Sequence, residues 1–183
     1  MPDLTKARVS SLPITVATRQ VTLQSAPPAT RFILRGVDAV AATSAAFGVT
    51  IPTRPLTSST MGERSALWLG PDEFLLLAPE AETAALYTQL SAAIGTSGAL
   101  VDISHRQTGL LIVGAKAATV LNAGVPLDLT LAAFPVGMAT RTIFEKAEIL
   151  LWRTAPNSFR IEVWRSFAPY VLALLQAADR DAP

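Results

Sequence analysis

The chain contains no cysteine. That removes disulfides, thiolate metal sites and thiol nucleophiles together, and it fits a reducing compartment. Histidine occurs once, so a metal site would have to be built from carboxylates, and no carboxylate cluster has the spacing of a calcium loop. Charge is scarce as well: 16% of the residues are charged, against roughly a quarter in an ordinary soluble domain. The 15 Lys and Arg offset 14 Asp and Glu without forming a basic block, so the electrostatic footprint of a nucleic-acid binder is missing. Neither GxGxxG nor a P-loop occurs, which leaves no dinucleotide fingerprint. No apolar run approaches the roughly 20 residues of a spanning helix. The opening residues, MPDLTKARVSS, lack the apolar stretch of a signal peptide. These absences predict a soluble, cytoplasmic chain with neither membrane nor nucleic acid among its partners.

What the chain does have is apolar surface. Half of its 183 residues are hydrophobic. Either the core is generous or a surface patch is covered by a partner; an alanine-rich composition is the plainer reading. Apolar residues stay dense outside the periodic segments, which tilts the reading toward a partner.

An internal repeat organises the sequence. The strand-like run Arg31-Phe32-Ile33-Leu34-Arg35 ends at Gly36, and a helical stretch from Val37 to Phe47 stops at Gly48. Later, Gly109-Leu110-Leu111-Ile112-Val113 ends at Gly114, and a helix from Ala115 to Ala123 stops at Gly124. Two hairpins follow the same plan. Ala66–Leu69 turns at Gly70-Pro71-Asp72 into Phe74–Leu77; Ile149–Trp152 turns at Ala155-Pro156-Asn157 into Phe159–Val163. Proline suits the first turn position and Asp or Asn the second.

Helices are predicted from Glu80 to Ile94 and from Phe167 to Ala178, the last capped by Ser166 with Pro169 in its first turn. The expected fold class is α+β: two repeated βαββα halves of split-βαβ, ferredoxin-like type, with helices on antiparallel sheets. The chain reads as one domain over 1–183, with halves at about 30–95 and 98–178. The strand Ala99–Ile103 is assigned to the second half. The Pro- and Ser-rich stretch 52–62 reads as an irregular loop, and residues 1–12 and 179–183 as frayed.

Candidate chemistry is thin. Asp102, Ser104 and His105 fall within four residues, which invites a triad. Residues alternating along a strand point to opposite faces, and triads are assembled from distant segments. The favoured reading is structural: Asp102 or Ser104 bonding loop amides, with His105 and Arg106 buried and paired or at an interface. Gly36 and Gly114, each a lone glycine where a helix begins, read as tight packing rather than phosphate contact. Trp68 and Trp152 hold similar places in the two hairpins and read as core. Trp164 with Arg165, at the entrance to the last helix, is the docking candidate, because Trp and Arg are enriched in interface hot spots.

Several segments together resemble a known family: VDISHRQTG (101–109), LNAGVPLDL (121–129), FPVGMATRT (134–142), KAEILLW (146–152) and EVWRSFAPY (162–170), with WLGPDEFLLL (68–77) in the first half. They look like the gamma subunits of heterotetrameric sarcosine oxidase, closely over about 66–178 and weakly before. More distantly they resemble the folate-binding domain of the glycine-cleavage T-protein and related aminomethyltransferases, whose DxSH segment matches Asp102, Ser104 and His105 and whose strand-ending glycine matches Gly114. That family's acidic pair would fall near Lys146-Ala147-Glu148, where at best Glu148 survives.

The resemblance implies a folate-binding-domain-like fold and an accessory, non-catalytic subunit that holds no cofactor or metal. Its expected partners are the alpha, beta and delta subunits of an oxidase in which FAD, FMN, NAD, tetrahydrofolate and zinc lie on the other chains. The alternatives are a stand-alone tetrahydrofolate-binding, aminomethyltransferase-like domain and, weaker for want of a basic surface, a relative serving RNA modification.

Overall fold

The structure is a computed structural model, and it describes residues 15–182. The described part opens with a hairpin, β1 (Thr15–Ala17) and β2 (Thr22–Ser25). The chain divides into two compact units, Ala29–Ser104 and the remainder.

The Ala29–Ser104 unit runs β3 (Ala29–Arg35), a 3₁₀ turn (Val37–Ala39), α1 (Val40–Phe47), β4 (Ser58–Met61), β5 (Arg64–Gly70), β6 (Glu73–Pro79), a 3₁₀ turn (Glu80–Glu82), α2 (Thr83–Ile94) and β7 (Ala99–Asp102). Its sheet has the order β4-β5-β6-β3-β7 and is antiparallel throughout. Alternation along the strands sends Phe32, Leu34, Ala66, Phe74 and Leu76 into one core. Leu86, Leu90 and Ile94 of α2, spaced four apart on one helix face, close over it. Gly48 ends α1 in the left-handed conformation at φ 75°, its N–H bonded to the Ser44 carbonyl.

The second unit combines β1 and β2 with β8 (Gln107–Val113), α3 (Ala117–Asn122), β9 (Ala139–Phe144), β10 (Ala147–Ala155), β11 (Ser158–Trp164) and α4 (Ala168–Asp181). Its antiparallel sheet has the order β1-β2-β8-β11-β10-β9. Leu110, Ile112, Ile149, Leu151, Phe159 and Ile161 meet Val171 and Leu175 of α4 in its core.

The five strands of the first sheet match five of the six in the second, with β1 as the extra edge strand. β3, β4, β5, β6 and β7 correspond to β8, β9, β10, β11 and β2. The α+β class and the repeat are as the sequence predicts, but each half is βαβββα. The stretch expected to be an irregular loop holds β4, an edge strand of Ser, Thr and Met paired only with β5. It gives no alternating apolar signal because little of it is buried. β9 is the equivalent edge strand.

A second correction concerns Ala99–Ile103. Its strand pairs with β3, Ile33 opposite Val101, so it completes the first half's sheet; the boundary between halves falls after Ser104. The second sheet takes its equivalent strand from the N-terminal side, where β2 pairs with β8. The glycines at the strand ends follow from this. A Cβ on Gly36 (φ 109°) would lie 2.8 Å from the Ser97 carbonyl oxygen, and one on Gly114 (φ 151°) 2.8 Å from that of Gln20. Close approach of the neighbouring strand fixes both residues.

At the last helix, Pro169 lies in the first turn as expected, but Phe167 is the N-cap and no side chain caps the helix. Residues 179–182 are not frayed: α4 runs to Asp181, and Asp179 is buried. Residues 1–12 and Pro183 lie outside the described residues.

Candidate functional site

The Asp102-Ser104-His105 segment closes the Ala29–Ser104 unit. Asp102 ends β7, and its Oδ1 accepts the Ser104 amide at 2.8 Å and the Ser104 hydroxyl at 2.5 Å. The same hydroxyl oxygen accepts the Arg31 amide at 2.8 Å, while the Ile103 amide donates to the Arg31 carbonyl at 2.9 Å. Ser104 is buried and His105 exposed. The serine proton is therefore directed to a carboxylate and its lone pair to a backbone amide. A hydroxyl engaged in this way is tied to the backbone on one side and to its own segment's carboxylate on the other, which is the structural role expected of Asp102 and Ser104. The arrangement extends the β3–β7 ladder past the last strand residue.

The docking candidates do come together. Trp164 ends β11 opposite Gln107 of β8. The Arg165 amide donates to the Arg106 carbonyl at 3.0 Å, and the Arg106 guanidinium lies 5.3 Å from the Trp164 ring centroid. Beside them, Lys146, Glu148, Trp164 and Phe167 line a cleft of about 230 Å³. Glu148, exposed, stands opposite Ile143 of the edge strand β9. Ile143, Trp164, Phe167 and Tyr170 are 46%, 43%, 45% and 39% exposed. These are large apolar side chains on one unit, with a carboxylate and an ammonium among them.

Trp152 and Trp68 do not hold equivalent places. In the hairpin registers, Trp68 faces Phe74 while Arg153, not Trp152, faces Phe159. Trp152 is buried, and sequence reasoning passed over its neighbour. Arg153 is 2% exposed; its two terminal nitrogens donate to the Phe134 and Leu129 carbonyls at 2.8 Å each, and its guanidinium stacks 4.4 Å from the Phe159 centroid. Burial pulls its pKa below the ordinary value. A guanidinium still keeps its charge at neutral pH, so this is a buried cation bonded to main-chain carbonyls. Counting back three residues from each hairpin proline would have found it.

A second buried charge is matched by a glycine. Glu162 is fully buried and accepts the Arg160 Nε at 2.7 Å. Gly109 lies opposite it in the ladder, where a Cβ would come within 3.1 Å of the Glu162 carboxylate and 2.7 Å of the Ala26 Cβ. Among the described residues no group of three or more His, Asp or Glu side chains could hold a metal ion. No described helix is long and apolar enough to cross a membrane.

Comparison with known proteins bears on this arrangement. Residues 36–181 match the family model of the sarcosine oxidase, gamma subunit family. The chain is 36% identical over 159 residues to the sarcosine oxidase subunit gamma of Corynebacterium sp. (strain U-96), covering 84% of this chain and 77% of that one. It superposes on a chain of the heterotetrameric sarcosine oxidase from Corynebacterium sp. U-96 in complex with pyrrole 2-carboxylate with a TM-score of 0.82 and 35% identity, covering 91% and 87% of the two chains. The glycine cleavage system aminomethyltransferase T from Bartonella henselae is similar in fold, with a TM-score of 0.67 at 17% identity over 90% of this chain and 50% of that one.

Proposed function

The chain belongs to the sarcosine oxidase gamma subunit family, and from that membership we propose that it is a non-catalytic gamma subunit docking chiefly on the alpha subunit of a sarcosine oxidase. The assembly oxidises the N-methyl group of sarcosine. Two electrons pass to oxygen, which becomes hydrogen peroxide. Water or tetrahydrofolate then takes up the one-carbon unit, releasing glycine with formaldehyde or methylene-tetrahydrofolate. In this reading FAD, FMN, NAD, tetrahydrofolate and zinc are held by the alpha, beta and delta subunits.

The observation that carries the reading is the exposed apolar face around Trp164 and Phe167, on a chain whose Asp102 and Ser104 are engaged in closing the backbone. Co-expression with the flavin-bearing subunits tests it. The chain is expected to copurify stoichiometrically with them and to be colourless when purified alone. A flavin spectrum carried by the isolated chain would count against it.

The competing reading, a stand-alone tetrahydrofolate-dependent aminomethyltransferase, draws on the T-protein fold. That likeness supports the fold alone, and the Ser104 and Asp102 groups are already engaged. Calorimetric titration with tetrahydrofolate separates the two readings, with no binding heat expected for the accessory subunit.

A further inference from the structure

The cleft lined by Lys146, Glu148, Trp164 and Phe167 has more specific chemistry than a plain apolar patch. Trp164 and Phe167 contribute rings that are nearly half exposed. Glu148 contributes a carboxylate. Lys146, in the turn between β9 and β10, contributes an ammonium to the same cleft. Neither charge is used in an ion pair among the described residues. Trp164 already serves as a platform for a planar cation, the Arg106 guanidinium at 5.3 Å.

We propose that this cleft receives an extended segment of a partner subunit that sets an arginine between Trp164 and Phe167 against Glu148 and, close by, a carboxylate against Lys146. The inference rests on the subunit reading above and deepens it by naming the seat and the chemistry of its occupant. A guanidinium meets all three features on that side of the cleft. Its faces stack on aromatic rings, its edge pairs bidentately with a carboxylate, and it sheds water more readily than an ammonium. Lys146, in the β9–β10 turn, and Glu148, in β10, line the one cleft with opposite charges, so a single extended segment crossing it is complementary when it carries a cation and an anion close together. The adjoining edge strand β9, with Ile143 exposed, gives such a segment apolar surface to lie along.

The test uses the full chain co-expressed with the other subunits. The dissociation constant of the chain from the assembled oxidase is measured by sedimentation for wild type, Glu148→Arg, Glu148→Asp and Trp164→Ala, with thermal melting of each isolated chain alongside. Glu148→Arg is expected to weaken association by about tenfold or more, as truncating or reversing a desolvated interfacial charge does, at unchanged melting temperature because the residue is exposed. Trp164→Ala is expected to weaken it similarly, and Glu148→Asp to retain most of the affinity. Wild-type affinity in Glu148→Arg overturns the proposal even if Trp164→Ala binds weakly, since the cleft would then be a purely apolar contact. A wild-type chain that fails to enter the complex refutes the subunit reading itself, which separates the two failures.

Discussion

Arg153 shows how a single side chain can stand in for an apolar one. Its place in the hairpin corresponds to Trp68 in the other half, and it fills that place with a guanidinium stacked on Phe159. The cation is tolerated because its terminal nitrogens tie down the carbonyls of Leu129 and Phe134, in the segment that leads into β9. Arg153→Leu keeps much of the volume but strands both carbonyls, and is expected to cost about 2–4 kcal/mol in urea unfolding. Arg153→Lys should rescue little, since one ammonium cannot reproduce the fork.

Ser104 makes the complementary case. Ser104→Ala removes the acceptor of the buried Arg31 amide and is expected to cost about 1–2 kcal/mol of stability. Oxidase turnover per assembled complex should be unchanged, and a turnover loss exceeding the loss of folded protein would restore a catalytic role for this hydroxyl. Only part of this was legible in the sequence. The structural reading of Asp102 and Ser104 follows from their spacing. The similarity of two tryptophans hid the register in which Arg153, not Trp152, takes the core-facing place.

At the scale of elements, what the sequence displays well is what buries a regular face: β3 and β8, the two proline hairpins and α4. It displays β4 and β9 poorly because an edge strand pairs on one side only and has little to bury. It also misplaces Ala99–Ile103, because adjacency in the chain favours the following half, whereas strand pairing returns it to β3. At the other sheet, the hairpin that supplies β2 is held by Asp179. This residue sits in the last turn of α4, where the helix dipole disfavours a negative charge. Its carboxylate accepts the amides of Arg19, Gln20 and Val21 at 2.7, 3.0 and 3.1 Å, fixing the β1–β2 hairpin to the helix.

Burial acts to raise the Asp179 pKa, but the Thr18 hydroxyl and the three amides outweigh it and hold the carboxyl below its ordinary value. The unfolded carboxyl titrates near about 3.9. The stabilisation is therefore full above that value and is lost as the pH falls through the lower folded pKa. Asp179→Ala leaves three amides without their acceptor and is expected to cost on the order of 3 kcal/mol at neutral pH. The gap from wild type should narrow only in strongly acidic solution, below about pH 4. A gap that closes instead between neutrality and pH 5, followed by urea unfolding across a pH series, would show that another group controls this junction.

For the whole molecule, scarcity of charge and an excess of apolar residues point to a partner. Composition cannot say which apolar residues face it, because exposure is decided by tertiary packing. Trp152 and Trp164 are equivalent by type, yet the first is buried and the second is 43% exposed. Exposure makes the docking assignment measurable. In the free chain, Trp164→Ala with Arg165→Ala forfeits the Arg106 stack and part of the indole's packing, roughly 1–2 kcal/mol of folding stability. In the proposed docking it would also forfeit the burial of the exposed remainder and of its neighbours, and central Trp and Arg residues of an interface typically carry about 2–4 kcal/mol each. The double variant should thus weaken subunit association more than it weakens its own fold, with both losses expressed as free energies from sedimentation and denaturant unfolding. Equal losses would place the pair in the core of its own unit and move the docking face elsewhere. A larger association loss would tie the charge-poor composition to one particular surface, at the junction of β11 and α4.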